Sequence, residues 1–262
     1  MNFISKTLLI AAALTASFSN AFAGVIIGGT RVIFDGGKKE ASISINNADS
    51  VPYLIQSWVE MPEGNANKAP FIVTPPLYRL EGGQQNIERI LLSGSLPQEK
   101  ESLFWLNIKA IPSASKQANS LQIAVKTRIK LIYRPAGLKA STPEDQANKL
   151  TWSRSGNKLM VANPTPYVIN FNEISVGNKK LDEVSWVAPG AMAAFTLPAG
   201  ATGNQIAFKV INDYGSPGIL HQASFNLSEA AILLSAQVND DGNKNENNAA
   251  CASGNLYRLC AG

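Results

Sequence analysis

One histidine, two cysteines and a 16% share of charged residues leave this 262-residue chain poorly supplied for most site chemistry. A single imidazole excludes a multi-His zinc site and leaves His221 as the only neutral-pH imidazole base for a Ser or Cys nucleophile. Two cysteines exclude a disulfide-stapled scaffold, and a chain that is 45% hydrophobic can bury a core without one. Charge of one sign is also scarce. The net charge of +4 is too small an excess to point to nucleic acid. Gly-x-Ser-x-Gly, Gly-x4-Gly-Lys-[Ser/Thr], His-Glu-x-x-His and Gly-x-Gly-x-x-Gly are all absent. A paired-carboxylate glycosidase has no contiguous motif to look for, and nothing in the chain favours it. Asp240, Asp241 and Glu246 lie close together, but no twelve-residue loop ends in a Glu there, so neither metal nor cofactor is assigned.

Long apolar runs are missing as well. The stretch from Leu8 to Ala16 falls short of the roughly 20 residues needed to span a bilayer. With Lys6 before it and Ala21-Phe22-Ala23 after it, residues 1–23 read as an export signal cleaved before Gly24. The expectation is a secreted protein with no membrane span after cleavage and a net charge of +3. Export implies an oxidising compartment, where Cys251 and Cys260 are expected as a disulfide rather than as a metal pair.

What the chain does have is strand signal. Arg31–Phe34, Ala41–Asn46, Tyr53–Glu60 and Phe104–Ile108 are short runs of Ile, Val, Phe and Trp between Gly-Gly, Asn-Asn-Ala-Asp and Pro-Glu-Gly breaks. No long stretch has a clean helical period. The alternation in Ser42-Ile43-Ser44-Ile45-Asn46 predicts a β-sandwich, with a barrel as the second choice. A second strand set follows at Lys158–Ala162, Tyr167–Phe171, Val184–Val187, Ala193–Leu197 and Gln205–Ile211, with Ala223–Leu227 as its last member. Between the sets, Arg134-Pro135-Ala136-Gly137 stops a strand and permits a change of direction, so the hinge is placed there. The division expected is a domain at 24–138, a domain at 139–235 and a polar tail at 236–262. That tail is either a small disulfide-closed loop or a disordered appendage.

The stretch Leu121–Arg134 alternates over 14 residues, about 46 Å at roughly 3.3 Å per residue. In one reading it is a core strand, with Leu121, Ile123, Val125, Ile129 and Leu131 inward and Lys126, Arg128 and Lys130 outward. In the other it is an edge strand whose first half offers an apolar row to a partner.

The block Leu96-Pro97-Gln98-Glu99-Lys100-Glu101-Ser102-Leu103-Phe104-Trp105-Leu106-Asn107-Ile108-Lys109-Ala110-Ile111-Pro112 closely resembles the signature of the periplasmic pilus chaperones of the chaperone/usher pathway. Thr30–Phe34, Pro52-Tyr53-Leu54, Thr74-Pro75-Pro76, Leu121–Pro135, Asn163–Tyr167 and Ile211–Gly215 resemble the same family in the same order. Glu99 departs in a minor way, standing where the family usually has Asp, Asn or Ser. The larger departure is the C-terminal tail.

The resemblance implies an all-β boomerang of two immunoglobulin-like β-sandwich domains with a cleft between them. It implies a periplasmic protein that captures pilus or fimbrial subunits lacking their last strand and delivers them to an outer-membrane usher. On the matching positions, Leu121, Ile123 and Val125 are the donor row, while Arg31 and Lys130 bind the subunit's C-terminal carboxylate. Glu101, Arg134 and Asp213 are an interdomain charge network. Pro52, Thr74, Pro75 and Pro76 resemble a patch used with ushers. The short polar stretch between Ile111-Pro112 and Leu121 resembles the short-loop branch. Asn163–Pro166 is expected to be a fixed turn, which a cis peptide would suit. An exposed apolar row is also a template through which free copies can self-associate. The competing reading is a secreted immunoglobulin-like adhesin or carbohydrate-binding module. It would use Trp58, Trp105, Trp152 or Trp186, which the strand patterns place in the core.

Overall fold

Alternation of apolar and polar residues sets the architecture, because each two-residue period gives a strand one face to bury. A computed structural model describes residues 24–63, 69–113 and 121–225. These residues divide into two units, one comprising the chain up to Pro97 with Ser102–Ala136, the other comprising Gln98–Glu101 and the chain from Gly137 onward. The export segment, Cys251, Cys260, the 236–262 tail and most of the stretch before Leu121 lie outside the described residues.

The first unit contains β1 (Val25–Ile27), β2 (Arg31–Asp35), β3 (Glu40–Asn47), β4 (Tyr53–Glu60), β5 (Phe71–Thr74), β6 (Leu77–Leu80), β7 (Gln85–Leu92), β8 (Ser102–Pro112) and β9 (Val125–Arg134). One sheet has the order β1-β3-β7-β5 and the other β2-β9-β8-β4-β6. All pairs are antiparallel except β2 with β9, which run parallel with Arg31 opposite Lys130 and Asp35 opposite Arg134. Between β1 and β2 the chain passes from one sheet to the other. Gly28 makes this possible: its N–H donates to the Ser44 carbonyl at 2.8 Å, and a Cβ there would collide with the Ser44 side chain. Inward residues of both sheets form the core around Phe34, Phe71 and Phe104. Edge-on contacts pack these rings, at 5.5 Å for Phe34–Phe71 and 5.0 Å for Phe71–Phe104.

The second unit contains β10 (Thr151–Ser155), β11 (Lys158–Ala162), β12 (Ile169–Val176), β13 (Lys179–Lys180), β14 (Trp186–Val187), β15 (Met192–Thr196), β16 (Gln205–Ile211) and β17 (Pro217–Ser224). The sheet β10-β11-β15 faces a sheet ordered β13-β12-β16-β17, with β14 beside β12. Trp152, Phe171, Phe195 and Phe208 build its core. His221 is buried there, stacked on Phe208 at 5.2 Å with Nδ1 3.1 Å from Asn148 Oδ1, so the single imidazole is a packed core group.

Both sandwiches and the all-β class agree with the sequence reading, and several details correct it. The long strand starts at Val125, not Leu121. Its ladder with β8 ends at the Ala110–Val125 pair, and β8 itself closes on Pro112, which has no N–H to donate. The last described strand is Pro217–Ser224, and the expected strand Ala223–Leu227 runs in part outside the described residues. Among the described residues the cis peptide is Thr74–Pro75. The Asn163–Pro166 turn is held instead by the buried Asn163 amide, whose Nδ2 donates to the Tyr167 carbonyl at 2.7 Å while its Oδ1 accepts from Thr165. Of the four Trp, Trp152 is in the core, and Trp58, Trp105 and Trp186 are only half-buried.

An acid inside the first unit escaped the sequence reading. Glu88 on β7 is fully buried, and its Oε1 accepts from Ser57 Oγ at 2.7 Å and Tyr78 Oη at 3.1 Å. Burial pushes its carboxyl above the ordinary range, and the two hydrogen bonds oppose that shift only in part. A raised folded-state value means the stabilising contribution is complete at low pH and is lost as pH rises through the carboxyl's own titration. Denaturant unfolding at pH 5 and 7.5 is expected to show Glu88→Gln gaining less from acidification than the wild type. Equal gains in both proteins contradict the assignment.

Candidate functional site

Leu121 and Ile123 precede the long strand and share the parity of its Val125, Thr127, Ile129 and Leu131. Exposure along these positions falls from 86% at Leu121 through 66% at Ile123 and 57% at Val125 to 7% at Ile129 and 0% at Leu131. The same series therefore begins in water and ends in the core. This decides between the two sequence readings: Ile129 and Leu131 are core, and Leu121, Ile123 and Val125 are not. Large exposed apolar side chains on a strand mark a surface meant to be covered.

The backbone beneath that row is open as well. β2 pairs with β9 only from Lys130 to Arg134, whereas β8 pairs with it from Val125 to Tyr133. Among the described residues, no strand pairs with the other edge of Val125–Ile129. An open edge offers unpaired N–H and C=O groups to an added strand.

Arg31 and Lys130 stand where the open edge stops. They are direct partners across the parallel β2–β9 ladder, so both side chains leave the same face of the sheet. Lys130 is half-buried, and desolvation followed by the neighbouring Arg31 charge pulls its ammonium down to about 8. Two adjacent cations, one partly desolvated, favour a bound anion, and a carboxylate accepts the planar Arg fork in bidentate fashion.

Beyond this pair the outer face of the sheet carries aromatic rings covered by cations. Lys126 Nζ lies 5.0 Å from the Trp58 ring centre, and Arg128 Cζ lies 4.4 Å from that of Trp105. Glu60 accepts from Trp58 Nε1 at 2.7 Å and lies 3.7 Å from both Lys126 and Arg128. Those contacts hold its carboxyl below the usual range, the Trp58 hydrogen bond first. The sequence reading missed this cluster, because β4, β8 and β9 meet there only through strand pairing.

The other expected site residues are placed as follows. Glu101 is buried, its Oε2 accepting from the Val168 N–H at 2.7 Å and its own N–H donating to the Pro166 carbonyl at 2.8 Å. Arg134 is buried at the end of β9, where its carbonyl accepts from the Gly36 N–H. Asp213 is half-buried in the turn between β16 and β17. Thr74 and Pro76 are exposed beside exposed Ile72 and Leu77, and Pro52 is half-buried.

The family model described as pili and flagellar-assembly chaperone, PapD N-terminal domain, matches residues 24–139, and that of pili assembly chaperone PapD, C-terminal domain, matches residues 145–222. The chain is 44% identical over 218 residues to the probable fimbrial chaperone LpfB of Escherichia coli O157:H7, covering 81% of this chain and 93% of that one. It is 45% identical over 202 residues to the chaperone protein FimC of Escherichia coli K12, covering 75% and 82%. Among solved structures it is similar to a chain of the Salmonella enterica SafA pilin in complex with the SafB chaperone. There the TM-score is 0.72 and the identity 36%, covering 79% of this chain and 98% of that one.

The Lys130 environment generates a direct expectation. In the free protein, the Lys130 Cε resonance is expected to titrate with a midpoint near 8 and to move upward in Arg31→Ala. The unfolded chain binds that proton more tightly, so the group's contribution to stability grows as pH rises above 8. A midpoint in the ordinary lysine range for both proteins contradicts this picture.

Proposed function

The chain belongs to the pilus-assembly chaperone family of the chaperone/usher pathway, and on that premise we propose that its Leu121–Ile129 edge accepts a strand of an incomplete pilus subunit whose terminal carboxylate docks at Arg31 and Lys130. The observation that carries this reading is the coincidence of three features at one place: the apolar row leaves the core, β2 stops covering β9, and two cations meet. A chain whose C-terminus sits beside Lys130 while its body lies along Leu121–Ile129 must run parallel to β9, in line with β2. Such an occupant extends the sheet in the direction the protein itself already uses.

Energetics favour a division of labour. Covering Leu121, Ile123 and Val125 is worth roughly 5 to 9 kcal/mol before association costs are subtracted. Charge-assisted hydrogen bonds to the carboxylate add about 1.5 to 3 kcal/mol each. The apolar row supplies most of the affinity, and the carboxylate sets the register, since a one-residue slip would turn every subunit side chain to the wrong face.

The protein acts in the periplasm, works by binding rather than catalysis, and hands its cargo to an outer-membrane usher. Pro52, Thr74, Pro75 and Pro76 are proposed as the usher-facing patch, and Glu101, Arg134 and Asp213 as the charge network between the units. The chain is proposed to belong to the short-loop branch, on the few residues separating Pro112 from Leu121. The adhesin reading finds less support. Trp58 and Trp105 are already occupied by Lys126 and Arg128, and Trp152 is core.

Pull-down of pilus subunits from periplasm tests the assignment. Arg31→Ala and Lys130→Ala are each expected to reduce capture at least about tenfold with unchanged folding. Ile123→Asp is expected to weaken capture while leaving the thermal transition in place, because Ile123 is exposed in the free protein. Normal capture by both cation variants removes the anchor, and unfolding by Ile123→Asp removes the donor row.

A further inference from the structure

The anchor presents a physical difficulty. Arg31, Lys130 and Arg128 all project from one face: Arg31 and Lys130 are cross-strand partners, and Arg128 precedes Lys130 by two positions on β9. Like charges so placed repel, and Glu60 nearby is an acid that an anion-binding lysine could pair with instead of its ligand.

Trp105 lies at the centre of this arrangement. It is the direct cross-strand partner of Lys130 on one side and of Glu60 on the other. Arg128 stacks over its ring with Cζ 4.4 Å from the centre, and Lys130 Nζ stands at the margin of the same ring, 5.9 Å from the centre. Glu60, already fixed by Trp58 Nε1, lies within 3.7 Å of Arg128 Nη2 and of Lys126 Nζ. Trp105 thus occupies the sheet position between Glu60 and Lys130, while Glu60 is paired with Arg128 and Lys126. A ring with a negative face attracts both cations while adding no competing carboxylate.

We propose that Trp105 is a positioning residue of the carboxylate site, holding Arg128 against Glu60 so that Lys130 is presented with Arg31 to the subunit's terminal carboxylate. The inference rests on the anchor reading given above and deepens it.

The test separates carboxylate recognition from strand addition. A synthetic C-terminal peptide of a pilus subunit, made as the free acid and as the C-terminal amide, is titrated calorimetrically onto the full chain. The wild type is expected to prefer the acid at least about tenfold. Trp105→Leu is expected to lose most of that preference while its affinity for the amide changes less than about twofold, because the donor row is untouched. Trp105→Tyr, which restores a ring of similar polarity, is expected to recover the preference in large part. An acid-to-amide ratio that stays at the wild-type value in Trp105→Leu overturns the inference, even if both affinities fall together. Should Trp105→Leu fail to fold, Trp105→Phe, with a weaker π face, carries the same test and is expected to give an intermediate ratio. Lys130→Ala in the same assay keeps the two readings distinct. If it abolishes the preference and the Trp105 variants do not, only the role of Trp105 fails; if it leaves the preference intact, the anchor fails and this inference with it.

Discussion

The parallel ladder between Arg31–Asp35 and Lys130–Arg134 governs what the first unit can do, through both its presence and its end. Where it runs, it covers the edge of the long strand and brings an arginine and a lysine side by side. Where it stops, among the described residues, the same strand is left with one edge unpaired and with exposed apolar side chains. Had β2 begun a few residues earlier, the edge of Val125–Ile129 would be closed. The site is thus a boundary between a finished part of a sandwich and an unfinished one. A solved structure to which the chain is similar holds a chaperone in complex with a pilin.

The protein sustains an exposed apolar row because its stability lies elsewhere. Phe34, Phe71 and Phe104 close the first core, and Ile129 and Leu131 fasten the long strand into it from one end only. Lys126 and Arg128, held against Trp58, Trp105 and Glu60, fasten the opposite face of the same strand. Individually these half-exposed pairs are weak. Together they fix which face of the strand points outward, and this orientation is the property that a donor strand must keep before its partner arrives.

Much of this was legible in the sequence. The alternation of Ser42-Ile43-Ser44-Ile45 gave strand and face together, and Arg134-Pro135 marked where β9 ends. The two readings of Leu121–Arg134 could not be separated, because burial depends on how far the facing sheet extends and that is not a local property. The placement of Trp58 and Trp105 was misread. Alternation with the buried Phe104, Leu106 and Ile108 turns Trp105 to the outer face, and with Ile55 and Ser57 it turns Trp58 there too, where Lys126 and Arg128 from β9 cover the rings. Glu88 gave no signal, since a carboxylate in an alternating run reads as outward until Ser57 and Tyr78 are found beside it.

The central claim is that the Leu121–Ile129 edge is completed by a strand of the subunit. Amide hydrogen exchange of the protein alone and with a bound pilus subunit tests it most directly. The account predicts rapid exchange in the free protein at Leu121–Ala124 and at those amides of Val125–Ile129 that face away from β8, and protection there in the complex, continuous with the already protected Lys130–Arg134. Unchanged exchange along that edge, with protection appearing on another surface, would contradict it.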